Sequence, residues 1–293
     1  MTGIVACIGT GNVGASWALL FARAGFQVRV WDALPDQAKA CAEEVTQLYG
    51  TNCIRQCDDL ADALDGACHV QESIAEQPEA KRALFARIDP LLGPDAVLAS
   101  STSAIPASQL FANLACRARC LIAHPVNPPH LISLVELSAA PFTSSAAIAC
   151  TRTLMKAAGQ KPIEIRGEIE GFALNRLQWA LLGEALHLVE SGHCTPEEID
   201  LVLTHGLARR WVEHGPFANG HLNSSGGAAG YFADLRHAMT SVWSSLKPSK
   251  EPSASLVRQI HEAMTRSMPL EEINIHQTKR KQSLDRLNKY LDE

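Results

Sequence analysis

Short apolar runs alternate with helix-period stretches through the first half of the chain. Residues 4–8 form a run of strand length, and residues 11–24 repeat apolar side chains on one helical face. The same alternation continues with a strand at 28–31 and a helix at 35–49. Further strands are predicted at 69–74, 96–100 and 120–124, with helical patterns near 80–88 and 105–111. Strand-length runs at 134–137 and 162–165 complete the region. Strands alternating with helices imply right-handed βαβ units and a mostly parallel, doubly wound α/β sheet. After Arg166-Gly167 the texture changes: residues 172–190 are apolar at helical spacing, and the pattern stays helical to the end. Thr195-Pro196-Glu197-Glu198 combines an N-cap, a proline at the first helical position and a capping-box glutamate. The boundary is placed at Gly167, giving an α/β domain over 1–167 and an all-α domain over 168–293.

Composition narrows the class without naming a function. The 293 residues are 46% hydrophobic and 19% charged, which suits a packed globular chain, and 26 basic against 31 acidic residues leave a net charge of −5. That balance offers no footprint for nucleic acid or an anionic membrane. No apolar run reaches the roughly 20 residues of a membrane span, and the N-terminus has no basic segment ahead of an apolar one. Nine cysteines without a CxxC pair read as reduced thiols in a cytoplasmic protein.

Gly9-Thr10-Gly11-Asn12-Val13-Gly14 follows the first strand and opens the first helix. Gly9 permits the tight turn, Gly11 lets backbone approach a pyrophosphate, and Gly14 lets helix and strand pack closely. The helix start supplies N–H groups to phosphate oxygens. Asp32, closing the next strand, is placed to accept bonds from ribose hydroxyls and to repel a 2′-phosphate. NAD is therefore the expected cofactor, held by Gly9, Gly11, Asn12, Val13, Gly14 and Asp32.

Two segments carry chemistry at strand ends. Ser100-Ser101-Thr102-Ser103 crowds hydroxyls where a cofactor crevice opens, and His124-Pro125-Val126-Asn127-Pro128-Pro129 ends another strand in a stiffened turn. Glu136 sits between apolar neighbours, where a carboxylate needs a partner, and a histidine is a natural one. A histidine titrates near neutrality, so it can take and return the proton of an alcohol under oxidation. Spacing alone leaves His124 open between that role and a capped structural histidine. His205, His214 and His221 carry no metal-ligand spacing, so no metal is expected. Nothing in the sequence decides a role for His130.

These segments, with Gly171-Phe172-Ala173-Leu174-Asn175-Arg176-Leu177-Gln178, Gly215-Pro216 and His221-Leu222-Asn223, resemble the 3-hydroxyacyl-CoA dehydrogenase superfamily, nearest its lambda-crystallin branch, which includes L-gulonate 3-dehydrogenase. The resemblance implies a Rossmann-type domain, a helical second domain and a homodimer. It implies that Ser103 holds the substrate oxygen, that His124 is the general acid/base oriented by Glu136, and that Asn175 holds the substrate from the opposite side. Glu76 and Lys81 fall where the family contacts its cofactor; a solvated, charged helix start is the competing reading. The chain is short between Tyr49 and Asp59, where acyl-CoA enzymes carry a helical excursion toward CoA, so a small hydroxy acid such as L-gulonate is the expected substrate. Arg210, beside Arg209, is a candidate partner for its carboxylate. A 3-hydroxyacyl-CoA or L-carnitine dehydrogenase is the alternative enzyme, and a non-catalytic crystallin-like protein the alternative of another class.

Overall fold

The computed structural model describes residues 3–50, 53–249 and 251–292. The chain divides into two compact units, Met1–Arg176 and Leu177–Glu293. The division falls past Gly167 because the segment after it is tied to the first unit. Ser108 N–H donates to Glu168, and the N–H groups of Ala173 and Leu174 donate to Glu136.

The first unit runs β1 (Ile4–Ile8), α1 (Asn12–Arg23), β2 (Gln27–Trp31), α2 (Pro35–Tyr49), β3 (Ile54–Gln56), α3 (Leu60–Leu64), β4 (Ala67–Glu72), α4 (Pro78–Ile88), β5 (Val97–Ser100), α5 (Ala107–Phe111), β6 (Cys120–Pro125), β7 (Leu134–Ser138), α6 (Ser145–Ala157) and β8 (Lys161–Ile165). One sheet holds all eight strands in the order β3-β2-β1-β4-β5-β6-β7-β8. Both of its faces are covered, and β1 shows how. Val5 and Cys7 join the core built with α1, α2 and α6, whereas Ala6 and Ile8 join the core built with α3, α4 and α5. A strand buried on both faces reads as a continuous apolar run rather than an alternating one.

Pairing is parallel from β3 through to β6, and β7 then runs antiparallel to β6. Residues 126–133 are too few for a crossover helix, so the chain can only turn back on itself. Helix α6 supplies the crossover that returns β8 parallel to β7. Three elements escape the pattern reading. β3 and α3 are too short to show a period, and α6 is alanine-rich. Its start is legible only in Ser144, whose hydroxyl caps Ala147 N–H at 3.2 Å.

The second unit is helical throughout: α7 (Leu174–Glu190, which begins within the first unit), α8 (Pro196–Leu201), α9 (Ala208–Trp211), α10 (Pro216–Leu222), α11 (Gly227–Ser245), α12 (Ala254–Ser267) and α13 (Ile273–Asp292). The Thr195/Glu198 capping box starts α8 as its sequence predicts. A π-helical segment, Val202–Leu207, joins α8 to α9 without a break. Few side chains of this unit are buried, and Leu177, Trp179, Phe217, Leu222 and Trp243 are exposed.

Candidate active site

The glycine turn is shaped by sterics that separate its three glycines. Gly9 has φ +88°, and a Cβ there would lie 2.8 Å from the Ser73 backbone. A Cβ on Gly14 would lie 1.8 Å from the Gly9 carbonyl oxygen, so α1 seats against the turn only without one. A Cβ on Gly11 would meet nothing within 4 Å. The open side of Gly11 lines a cavity of about 480 Å³ shared with Gly9, Asp32 and Ser73. Helix α1 begins there with no side-chain cap and no acidic residue in its first turn, so its leading N–H groups, including those of Asn12 and Val13, are left for an external anion. Asp32 is fixed by its neighbours: one oxygen accepts from Thr10 N–H at 2.7 Å and Thr10 Oγ1 at 3.1 Å, the other from Leu34 N–H at 2.9 Å. Space at Gly11, free donors on α1 and an oriented carboxylate fit a dinucleotide with an unmodified ribose.

His124 and Glu136 face each other because β6 and β7 run antiparallel, where they are register partners. His124 Nδ1 and Glu136 Oε2 are 2.8 Å apart, and both side chains are buried. The carboxylate accepts a hydrogen bond from Nδ1–H, which leaves Nε2 with the lone pair. The second Glu136 oxygen accepts Ala173 N–H at 2.9 Å and Leu174 N–H at 3.0 Å. Phe172 makes that possible. It holds φ +50°, a left-handed conformation few non-glycine residues adopt, and its fully buried ring packs 5.3 Å from the His124 ring. The turn thus aims two successive N–H groups at one oxygen while walling the imidazole. Sequence reasoning did not single out Phe172; its signal is a glycine–aromatic pair at the entry to a helix.

Burial alone would raise the Glu136 carboxyl, but the bonds from His124, Leu174 and Ala173 together hold it below its ordinary 4.5. A carboxyl whose folded value is depressed contributes stability that is complete above the unfolded value and disappears as pH falls through the folded one. Glu136→Gln is expected to cost about 2 kcal/mol at neutral pH. That gap should close as denaturant midpoints are followed below about pH 4.5. A gap that stays constant into acid contradicts the assignment.

A second cluster joins the Ser-Thr-Ser segment to α4. Glu76 Oε1 accepts Thr102 Oγ1 at 2.5 Å, Ser103 N–H at 2.7 Å and Ser103 Oγ at 3.1 Å. Burial would raise Glu76, and these bonds with Lys81 bring it below the ordinary value. Lys81, 1% exposed, donates to Glu72 Oε1 at 2.7 Å and lies 3.4 Å from Glu76 Oε2. Glu72 in turn accepts Ser100 Oγ at 2.5 Å and Ile74 N–H at 2.6 Å. Its complete burial pushes its carboxyl above the ordinary range, opposed by Lys81 and these donors. Glu72, unremarked in the sequence because it sits inside a strand, ties the loops after β4 and β5 together. Asn175 Nδ2 donates to the Ser103 carbonyl at 2.7 Å. His124, Glu136, Asn175, Ser103, Glu76 and Lys81 therefore form one connected set, bridged by residues 171–175. Arg210 lies in the second unit, where its guanidinium donates to Asn219 Oδ1 at 3.1 Å.

The profile of the 3-hydroxyacyl-CoA dehydrogenase NAD binding domain matches residues 4–169, and that of the 3-hydroxyacyl-CoA dehydrogenase C-terminal domain matches residues 171–241. The chain belongs to the 3-hydroxyacyl-CoA dehydrogenase family. Its first unit is the NAD-binding domain of that family. The lambda-crystallin homolog of Bos taurus is 39% identical to this family member over 91% of the chain and 88% of its own length. An L-carnitine dehydrogenase of Streptomyces coelicolor is 37% identical over 83% of the chain and 80% of its own length. Among solved structures, a 5-formyl-3-hydroxy-2-methylpyridine 4-carboxylic acid 5-dehydrogenase, an NAD+-dependent dismutase, aligns with a TM-score of 0.86 at 26% identity, covering 100% of this chain and 99% of that one. A 3-hydroxyacyl-CoA dehydrogenase from Archaeoglobus fulgidus shares the fold, with a TM-score of 0.72 at 22% identity over 100% of this chain and 99% of that one.

Proposed function

We propose that this member of the family oxidises the 3-hydroxyl of a small hydroxy acid of the L-gulonate type, with His124 as general base. The observation that carries the reading is the His124–Glu136 pair. The carboxylate holds Nδ1 at 2.8 Å and is itself held by two N–H groups, so Nε2 is the nitrogen left for proton transfer. NAD, when bound along the Gly9–Gly14 turn, supplies the acceptor for the hydride. Asp32 would accept from its ribose hydroxyls, and Glu76, paired with Lys81 and bonded to Thr102 and Ser103, would add a further contact. His124 takes the hydroxyl proton as the carbinol carbon is oxidised, and Glu136 stabilises the charge that appears on the imidazole. The Ser103 hydroxyl turns from Glu76 to the substrate oxygen, and Asn175, anchored on the Ser103 carbonyl, borders the substrate.

The short connection between α2 and α3 supports a small substrate, although Thr51 and Asn52 within it lie outside the described residues. The relatives named lambda-crystallin favour the same reading, whereas the relative named L-carnitine dehydrogenase supports carnitine as the second. A panel of L-gulonate, L-carnitine and 3-hydroxybutyryl-CoA, followed by NADH absorbance, separates them. The proposal expects kcat/KM for L-gulonate to exceed the others by at least about tenfold. A preference for the thioester or for carnitine overturns the substrate, and no turnover of any member favours a non-catalytic crystallin-like role. Arg210, exposed and bonded to the neutral amide of Asn219, is proposed to take the substrate carboxylate. Arg210→Ala is expected to raise KM about tenfold, for roughly 1.4 kcal/mol of lost contact; an unchanged KM removes it from the site.

The exposed Trp179, Phe217 and Trp243 of the second unit support a homodimer. Nine free cysteines support a reducing, cytoplasmic location, and no helix among the described residues is long and apolar enough to cross a membrane.

A further inference from the structure

A cavity of about 490 Å³ opens at the amino ends of β1, β4 and β5, the opposite ends of these strands from the glycine turn. Its walls are mainly apolar, with Phe26, Val97 and Leu154 among them, and His69, Thr151, Thr153 and Asp95 interrupt them. Thr151 is 1% exposed, and its hydroxyl has no hydrogen-bond partner. A helical threonine ordinarily turns its hydroxyl back to the carbonyl four residues earlier, as Thr153 of the same helix does to Ala149 at 2.9 Å. Thr151 does not. An unpaired buried hydroxyl lowers stability unless something completes it.

His69 is equally buried and begins a line of hydrogen bonds that crosses the sheet. Its Nε2 lies 3.1 Å from Gln71 Oε1. The Gln71 amide orientation is set at its other end, where Nε2 donates to Ser101 Oγ at 2.8 Å and to the Ala123 carbonyl at 3.4 Å, an acceptor only. His69 must therefore donate from Nε2. The imidazole is kept neutral by burial, which pulls its pKa from 6.5 to about 4, so Nδ1 is an acceptor. Ser101 Oγ also receives Trp17 Nε1 at 3.0 Å, which leaves its own proton for Ser73 Oγ at 2.8 Å. Ser73 lines the dinucleotide cavity. Every donor in the line points from the amino-end cavity toward the cofactor cavity.

We propose that the amino-end cavity is a second ligand site, for a small apolar amine, coupled to NAD binding through the His69–Gln71–Ser101–Ser73 line. The volume suits a small molecule. A neutral histidine nitrogen and the Asp95 carboxylate both accept, and the Thr151 hydroxyl is able to, so the occupant brings donors and a positive charge on an apolar body. A donor placed on His69 Nδ1 makes Nε2–H a stronger donor, and the polarisation passes along the line to the Ser73 hydroxyl facing the cofactor. Coupling between two bound ligands is reciprocal, so each should tighten the other by one common factor.

Calorimetric titration of the full chain with benzylamine, with and without saturating NAD, tests both parts. The proposal expects saturable one-to-one binding whose Kd falls at least about threefold when NAD is present, with the NAD Kd falling by the same factor when benzylamine is present. Thr151→Val should weaken benzylamine about tenfold without lowering Tm. Ala149→Trp, which fills the cavity from an exposed wall position, should abolish benzylamine binding and leave the NAD Kd of the amine-free protein unchanged. Gln71→Met should keep both ligands and remove their coupling. Non-saturable binding, or binding that survives Ala149→Trp, overturns the site. Saturable binding with Kd values indifferent to the second ligand overturns the coupling.

Discussion

His124→Ala is expected to lower kcat by about 1,000-fold, within the range for loss of a positioned acid–base group, while KM changes by less than about threefold. The split follows from where the imidazole acts. In the proposed mechanism it moves a proton in the transition state, whereas ground-state binding is assigned to Ser103, Asn175 and the cofactor. The side chain is buried and packed against the Phe172 ring, so alanine also opens a cavity, and Tm should fall. His124→Gln fills more of that space and can still donate to Glu136, but it offers no basic nitrogen to take the substrate proton. It should recover much of the lost Tm and none of the lost kcat. Restored turnover in the glutamine variant would assign His124 to packing instead of proton transfer. Steady-state kinetics and thermal melts on both variants decide between the two.

Gly14→Ala is expected to weaken NAD by about 100-fold or more and to destabilise the fold by roughly 1–3 kcal/mol. The added methyl carbon would stand 1.8 Å from the Gly9 carbonyl oxygen, and that atom is backbone, so α1 itself must move. Its leading N–H groups then no longer converge on the pyrophosphate. Gly11→Ala is the informative control, because the chain has room for that methyl. It should leave Tm unchanged and still weaken NAD, since the space it fills is the one assigned to the cofactor in the proposal. Equal losses of Tm in both variants, or unaffected NAD affinity in Gly11→Ala, contradict the roles assigned to the turn.

The parts of the fold with a long period were readable before any coordinates. The capping box of α8 and the runs of β1 and β6 announce themselves because local propensity and tertiary context agree there. β3 and α3 do not, being too short to carry a period. The reversal of β7 is legible only through the length of residues 126–133, which leaves no room for a crossover. The candidate site divides the same way. His124 and Glu136 were recognisable as a pair, yet their opposition rests on an antiparallel register that the α/β alternation does not predict. Lys81 is expected at the cofactor, with a solvated helix start as the competing reading, and it is buried between two carboxylates, which no local pattern announces. Glu72 and Gln71 were silent because nothing local marks a strand carboxylate or a strand amide, and Phe172 carries only the glycine–aromatic pair at its helix entry. Their meaning comes from partners far away in the chain.

The central claim is that His124, oriented by Glu136, handles the proton of the substrate hydroxyl over an NAD held by the Gly9–Gly14 turn. A crystal structure of the full chain with NADH and the hydroxy acid selected by the substrate panel tests it most directly. The claim predicts His124 Nε2 at about 3 Å from the 3-hydroxyl oxygen, with the pyrophosphate against the first turn of α1. A bound hydroxyl facing another side chain, with His124 Nε2 directed elsewhere, would contradict it.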